Sequence, residues 1–178
     1  MYRLDAPADQ IAAALGAEPG RDVWEGGGVL PGGFAPVVVQ GKETRRLVPR
    51  LWGVPPPPRG TNVVTHVRNL ESPFWIGTLR HTEFRCLIPM TAFRGGNAWF
   101  GVEDCPVFAA AGIWRDSEVV SFAMVTIAGD GLYPLERVAT LPLILRPEDY
   151  GKWLRADWKL AQDLVRPSTQ RFRAITYS

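Results

Sequence analysis

Apolar residues along this chain follow first a helical and then a strand period. Ile11 and Leu15, four apart, predict a short amphipathic helix with Asp5 as its cap, Pro7 tolerated in the first turn and Gly16 as its stop. Glu18 to Pro36 is rich in glycine and reads as irregular. Val37 to Val39 and Leu47 to Trp52 then read as two strands of a hairpin turning near Gly41. Pro55 to Pro58 is a stiff surface connection, and Val63 to Val67 alternates as a strand does. Ser72-Pro73 opens a second helix carrying Phe74, Trp75 and Leu79.

From residue 85 onward the β-branched and apolar runs dominate. Arg85 to Phe93, Ala98 to Val102, Val107 to Trp114 and Val119 to Ala128 are separated by Gly, Asp and Asn and predict the core sheet. Leu141 to Leu145 adds a buried strand. A helix starting at Pro147 with Trp153 and Leu154, an amphipathic stretch from Asp157 to Val165 and a closing strand near Phe172 to Thr176 complete the chain. The expected class is α+β: one domain over residues 1–178, with a mainly antiparallel, barrel-like sheet core and a few flanking helices.

Composition narrows the function classes. With 178 residues and 46% apolar content the chain can bury a core, and no run of 18 apolar residues is present to span a bilayer. Met1 to Asp5 lacks the basic and apolar regions of a secretion signal, so the expected location is the cytoplasm. Cys86 and Cys105 are too few for a disulfide framework, and His66 and His81 lie at the wrong spacing to complete a zinc site, so no metal or cofactor is expected. Cys86, inside an apolar run, reads as an inert core thiol, and Cys105 as a thiol made less acidic by its anionic neighbours. The net charge of +2 does not announce a nucleic-acid binder. Seventeen of the twenty basic residues are Arg, which suits planar contacts to phosphate but also follows from a GC-rich genome.

Seven segments in one order carry a resemblance. They are Met1-Tyr2-Arg3-Leu4, Phe34-Ala35-Pro36, Leu51-Trp52-Gly53-Val54-Pro55, Val67-Arg68-Asn69 with Ser72-Pro73-Phe74-Trp75, Arg85-Cys86-Leu87-Ile88-Pro89, Ala111-Gly112-Ile113-Trp114 and Leu141-Pro142-Leu143-Ile144-Leu145. Across nearly its whole length the chain resembles the SRAP (SOS response-associated peptidase-like) family, particularly a branch common in proteobacteria and their phages. The resemblance implies a protein that handles abasic sites in single-stranded DNA. In that family a Cys after the initiator Met condenses with the abasic aldehyde through its amine and closes a thiazolidine with its thiol. An Asn, a Glu and a His assist in positioning and proton transfer.

Position by position, this chain departs from that pattern. Tyr2 stands where the family has Cys, and a phenol cannot close the ring; because Tyr2 is bulky, Met1 is expected to stay and to carry the terminal amine. His66 takes the Asn position, and the Glu position falls on Arg94-Gly95-Gly96, which has no carboxylate. Glu136 is the best match to the family His, with one extra residue before Leu141, and can be read as a partner of His66 or as a solvated loop residue. Arg68 is the expected phosphate contact, Trp52 and Trp75 offer rings for base stacking or simply core packing, and Arg3 adds charge at the N-terminal segment.

The leading expectation is therefore a degenerate family member that binds single-stranded or abasic-site DNA without the thiazolidine crosslink. Two others stay open: an enzyme forming a Schiff base with abasic DNA through the Met1 amine, helped by His66 and Glu136, and a phage or mobile-element interaction protein with a protein partner and no DNA role. No membrane contact is expected, and a monomer is the default.

Overall fold

Strand β1 (Tyr2–Leu4) precedes helix α1 (Ala8–Leu15) and the short β2 (Ala17–Glu18) in a computed structural model that describes residues 1–129 and 138–178. Then come β3 (Gly27–Val29), β4 (Phe34–Gln40), β5 (Arg45–Trp52), β6 (His66–Val67) and α2 (Pro73–Arg80). The β-rich half contains β7 (Arg85–Met90), β8 (Ala92–Gly95), β9 (Ala98–Val102), β10 (Phe108–Arg115) and β11 (Ser121–Ala128). After β12 (Thr140–Pro142) and β13 (Ile144–Leu145), α3 (Tyr150–Arg155), α4 (Trp158–Ala161) and β14 (Phe172–Ile175) close the chain. The class is mixed α+β with a mostly antiparallel sheet core, as the apolar pattern predicts. No helix among the described residues is long and apolar enough to cross a membrane.

Five strands close on themselves. β5 pairs with β4, β4 with β7, β7 with β10 and β10 with β11, all antiparallel, and β11 returns to β5 in parallel register at Ser121↔Leu51 and Phe122↔Trp52. Closure removes the open edges that would otherwise need protection and fills the interior with side chains. A second sheet, in the order β14-β9-β8-β1-β3, packs on this barrel, and a common set of buried apolar side chains runs through both.

Several expectations change in detail. Arg85 to Phe93 is not one strand: Thr91 donates its backbone N–H to the Arg3 carbonyl, so β7 stays in the barrel and β8 crosses to the second sheet. Leu141 to Leu145 likewise splits at Leu143, with β12 on β11 and β13 on β10. The glycine-rich stretch expected to be irregular supplies β3, which pairs with β1, and the strand expected from Val63 shrinks to β6. Residues 157–165 form α4 and one further 3₁₀ turn rather than a continuous helix.

Asp5 does not cap α1. Its carboxylate takes two hydrogen bonds from Arg3, at 2.7 and 2.8 Å, and Pro7 holds the cap position with no side-chain bond. Gly16 does end α1, in the left-handed conformation at φ 61°. Ser72 caps α2 as expected, its hydroxyl accepting from the Phe74 backbone N–H at 3.3 Å.

Arg85 is fully buried at the barrel's other flank. Its guanidinium donates to the carbonyls of Trp153 and Ala156, so it satisfies the C-terminal end of α3 from inside the core.

Candidate functional site

The pairings above bring three distant segments together. β1 lies beside β8, with Tyr2 opposite Phe93, which places Met1 next to Arg94. β6 runs parallel to β11, with His66 opposite Met124, so Arg68 follows at the end of that short strand. β12 pairs with the far end of β11, Thr126 opposite Pro142, and forms a third wall. Between them lies a cavity of about 220 Å³ lined by Met1, His66, Arg68, Arg94, Thr126 and Thr140 over an apolar floor that includes Tyr2, Trp52, Phe93, Met124 and Leu141.

Charge in this cavity is one-sided. Two arginines and Met1, which carries the terminal amine, line it, and among its described lining residues there is no carboxylate. The amine's pKa is lowered, first by burial and then by the Arg94 charge. His66 is pushed down from 6.5 to about 4 by burial, with the terminal amine and Arg68 adding to it. Its imidazole is therefore neutral at pH 7, and its Nδ1 lies 2.8 Å from the Thr65 hydroxyl. Such a site suits an anion and an electrophilic carbon; it lacks, among the described residues, the acid of a carboxylate relay.

Tyr2 forms part of the floor and is 1% exposed. Its ring meets Trp52 edge-on at 5.2 Å, its hydroxyl has no hydrogen-bond partner among the described residues, and burial raises its pKa well beyond an ordinary phenol. A neutral, buried phenol offers no nucleophile. The Glu position is equally empty of chemistry. Gly95 is buried in β8, and a Cβ there would come within 3.0 Å of Phe100 and Val138.

The aromatic expectations need correction. Trp52 is 1% exposed because it sits on the seam where β5 meets β11: Phe122 stacks on it at 6.3 Å and its indole N–H donates to the Thr65 carbonyl at 3.0 Å. Trp75 is 4% exposed, packed against Phe74 at 4.4 Å and covered by Arg115 at 4.9 Å. Neither ring presents a face on which a base could stack. Arg3 does not line the cavity; Asp5 holds it, and it lies 4.4 Å over the Tyr177 ring. Glu136 lies outside the described residues.

Arg94 is the lining residue that sequence reasoning passed over. The signal was present in the Arg94-Gly95-Gly96 segment, read only for the acid it lacks. The two cysteines stand apart from the cavity. Cys86 is buried, and the Cys105 thiol is made less acidic by burial rather than by the anionic neighbours expected to do so.

No family model matches the chain, and no curated protein does. Solved structures that share its fold include the following three. A protein from Bordetella bronchiseptica superposes with a TM-score of 0.78 at 18% identity, over 99% of both chains. One from Bacteroides thetaiotaomicron gives 0.73 at 18% identity, over 98% of this chain and 91% of that one. A phage-related protein from Bordetella bronchiseptica gives 0.74 at 14% identity, over 99% and 93%. Likeness at this identity speaks for the fold alone.

Proposed function

We propose that this chain is a degenerate SRAP-type protein that binds single-stranded or abasic-site DNA at the N-terminal cavity without forming a thiazolidine. One observation supports this above the others. The N-terminal residue, His66 and Arg68, to which the family resemblance assigns lesion handling, line one cavity although they are distant in sequence. Arg68 and Arg94 supply the charge for a phosphate, and the apolar floor suits a sugar that has lost its base.

Fluorescence anisotropy with a labelled single-stranded oligonucleotide bearing one abasic site tests the reading. Binding that weakens in Arg68→Ala and Arg94→Ala, and falls as salt rises, is the expected result. Absence of binding at low salt, or binding indifferent to both substitutions, would sink it.

A second reading adds a covalent step and is favoured by the position of the Met1 amine at the cavity wall, with its pKa lowered. A larger neutral fraction at pH 7 attacks the aldehyde carbon of an open abasic sugar. The carbinolamine so formed loses water to give an imine between Met1 and the sugar. We assign to neutral His66, which lines the same cavity, the acceptance of the proton the amine nitrogen releases. Borohydride reduction of this imine yields a stable adduct on Met1, located by peptide mass spectrometry. An N-terminally acetylated protein that still gave the adduct would refute it.

A further inference from the structure

The N-terminal cavity does not end at its own walls. Arg68, Thr126 and Thr140 are shared with a second hollow of about 580 Å³ beyond the edge of β12. That hollow shares Leu70 and Val165 with a third, about 900 Å³, between α2 and the α4 region. Through these shared residues the three hollows adjoin in series, a trough of three parts.

Its cations follow its length. Arg68 stands at the first junction, Arg166 in the second hollow, and Arg80 and Lys159 on opposite sides of the third. All four are exposed, and none forms an ion pair among the described residues. Glu71 is the single carboxylate among the described residues lining this path. The half-buried Trp158 borders the third hollow, its ring edge-on to Trp153 at 6.1 Å, and is the kind of aromatic surface on which a base stacks.

A neighbouring hollow near Arg166 leads elsewhere but differs in charge. Besides the shared Arg166 its cation is Arg146, which is held by Glu148 at 3.4 Å and Asp149 at 3.2 Å, so that branch adds no unpaired cation of its own among the described residues. A series of cations with no ion-pair partner among the described residues, and a ring at its end, matches a single nucleic-acid strand, whose phosphates repeat and whose bases are unstacked.

We propose that a DNA strand held at the N-terminal cavity continues along this trough, with Arg166, Arg80 and Lys159 contacting successive phosphates downstream of Arg68. The inference rests on the DNA-binding reading and adds the strand's path. It explains how a protein of low net charge grips a polyanion: the cations are aligned rather than numerous.

The experiment compares four proteins on a 12-nucleotide single strand with a central abasic site, by anisotropy over a range of salt. They are the unaltered protein, Arg68→Ala, the trough variant Arg80→Ala/Lys159→Ala/Arg166→Ala, and a control variant Arg21→Ala/Lys42→Ala/Arg59→Ala. The control removes the same charge from exposed positions off the path. The trough variant is expected to bind about tenfold more weakly, with a salt slope shallower by about 2, at roughly 0.7 for each phosphate that no longer meets a cation. The control should bind as the unaltered protein does. Equal binding by the trough variant and the unaltered protein overturns the path while leaving the cavity reading to the Arg68→Ala result. Equal losses in trough and control variants overturn it too, by showing that bulk charge is responsible. An unaltered protein that fails to bind removes both readings together. Circular dichroism melting of each variant separates a binding loss from unfolding.

Discussion

Replacing His66 by Asn should make the protein's stability less sensitive to acid. The His66 pKa is about 4 in the folded protein because burial, the terminal amine and Arg68 all oppose its charge, whereas an unfolded chain would protonate it near 6.5. Above pH 6.5 the imidazole is neutral in both states and contributes nothing to the pH dependence. As pH falls from 6.5 toward 4, the unfolded chain gains a proton that the folded one refuses, and stability is lost. The full gap corresponds to about 3 kcal/mol; the ring is only half-buried, and screening by solvent reduces the expected loss to about 1–2 kcal/mol. Urea titrations of both proteins at pH 7.5 and pH 4.5 measure it. Other groups titrate in this range, so the quantity of interest is the difference between the two proteins' acid-induced losses. A loss in His66→Asn as large as in the unaltered protein would refute the assigned burial and charge environment.

Three further outcomes are expected from the packing. Arg85→Ala orphans a buried and a part-buried carbonyl at the end of α3 and should destabilise by about 2–4 kcal/mol, and Arg85→Lys, lacking the fork, should recover only part of it; chemical denaturation measures both. Gly53 has φ 138° and its missing Cβ would lie 3.2 Å from the Val63 side chain, so Gly53→Ala should cost roughly 1–3 kcal/mol, read from the urea midpoint. In a thiol-reagent assay at pH 8, Cys86 should react only after unfolding and Cys105 slowly in the native protein, since burial raises both thiols; fast native labelling of Cys86 would contradict its place in the barrel wall.

The fold was readable in the sequence to the extent that local patterns decide it. The hairpin of β4 and β5, the cap at Ser72 and the stop at Gly16 follow from residues within a few positions of each element. What local pattern cannot supply is which sheet a strand joins. Arg85 to Phe93 is almost continuously apolar because both β7 and β8 are largely buried, and only the long-range bond from Thr91 to Arg3 tells the two apart. Leu143 hides the same kind of switch, with its backbone bonded to Val125 and Ala111.

For the candidate site the same distinction works against the aromatic residues and in favour of the charged ones. A Trp at a strand end reads equally as a stacking platform or a core residue, and Trp52 is settled only by the parallel return of β11 to β5, which no spacing within either strand announces. The resemblance carried by Val67-Arg68-Asn69 singles out Arg68, and the structure puts it, exposed, at the cavity wall. Arg94, which also lines the cavity, stands beside Gly95, in a segment read only for the carboxylate it lacks. With no carboxylate among the described lining residues and the Arg94 charge near the terminal amine, the cavity suits an anion better than a proton relay. That one-sided charge, more than the buried phenol at position 2, sets the chemistry of this cavity.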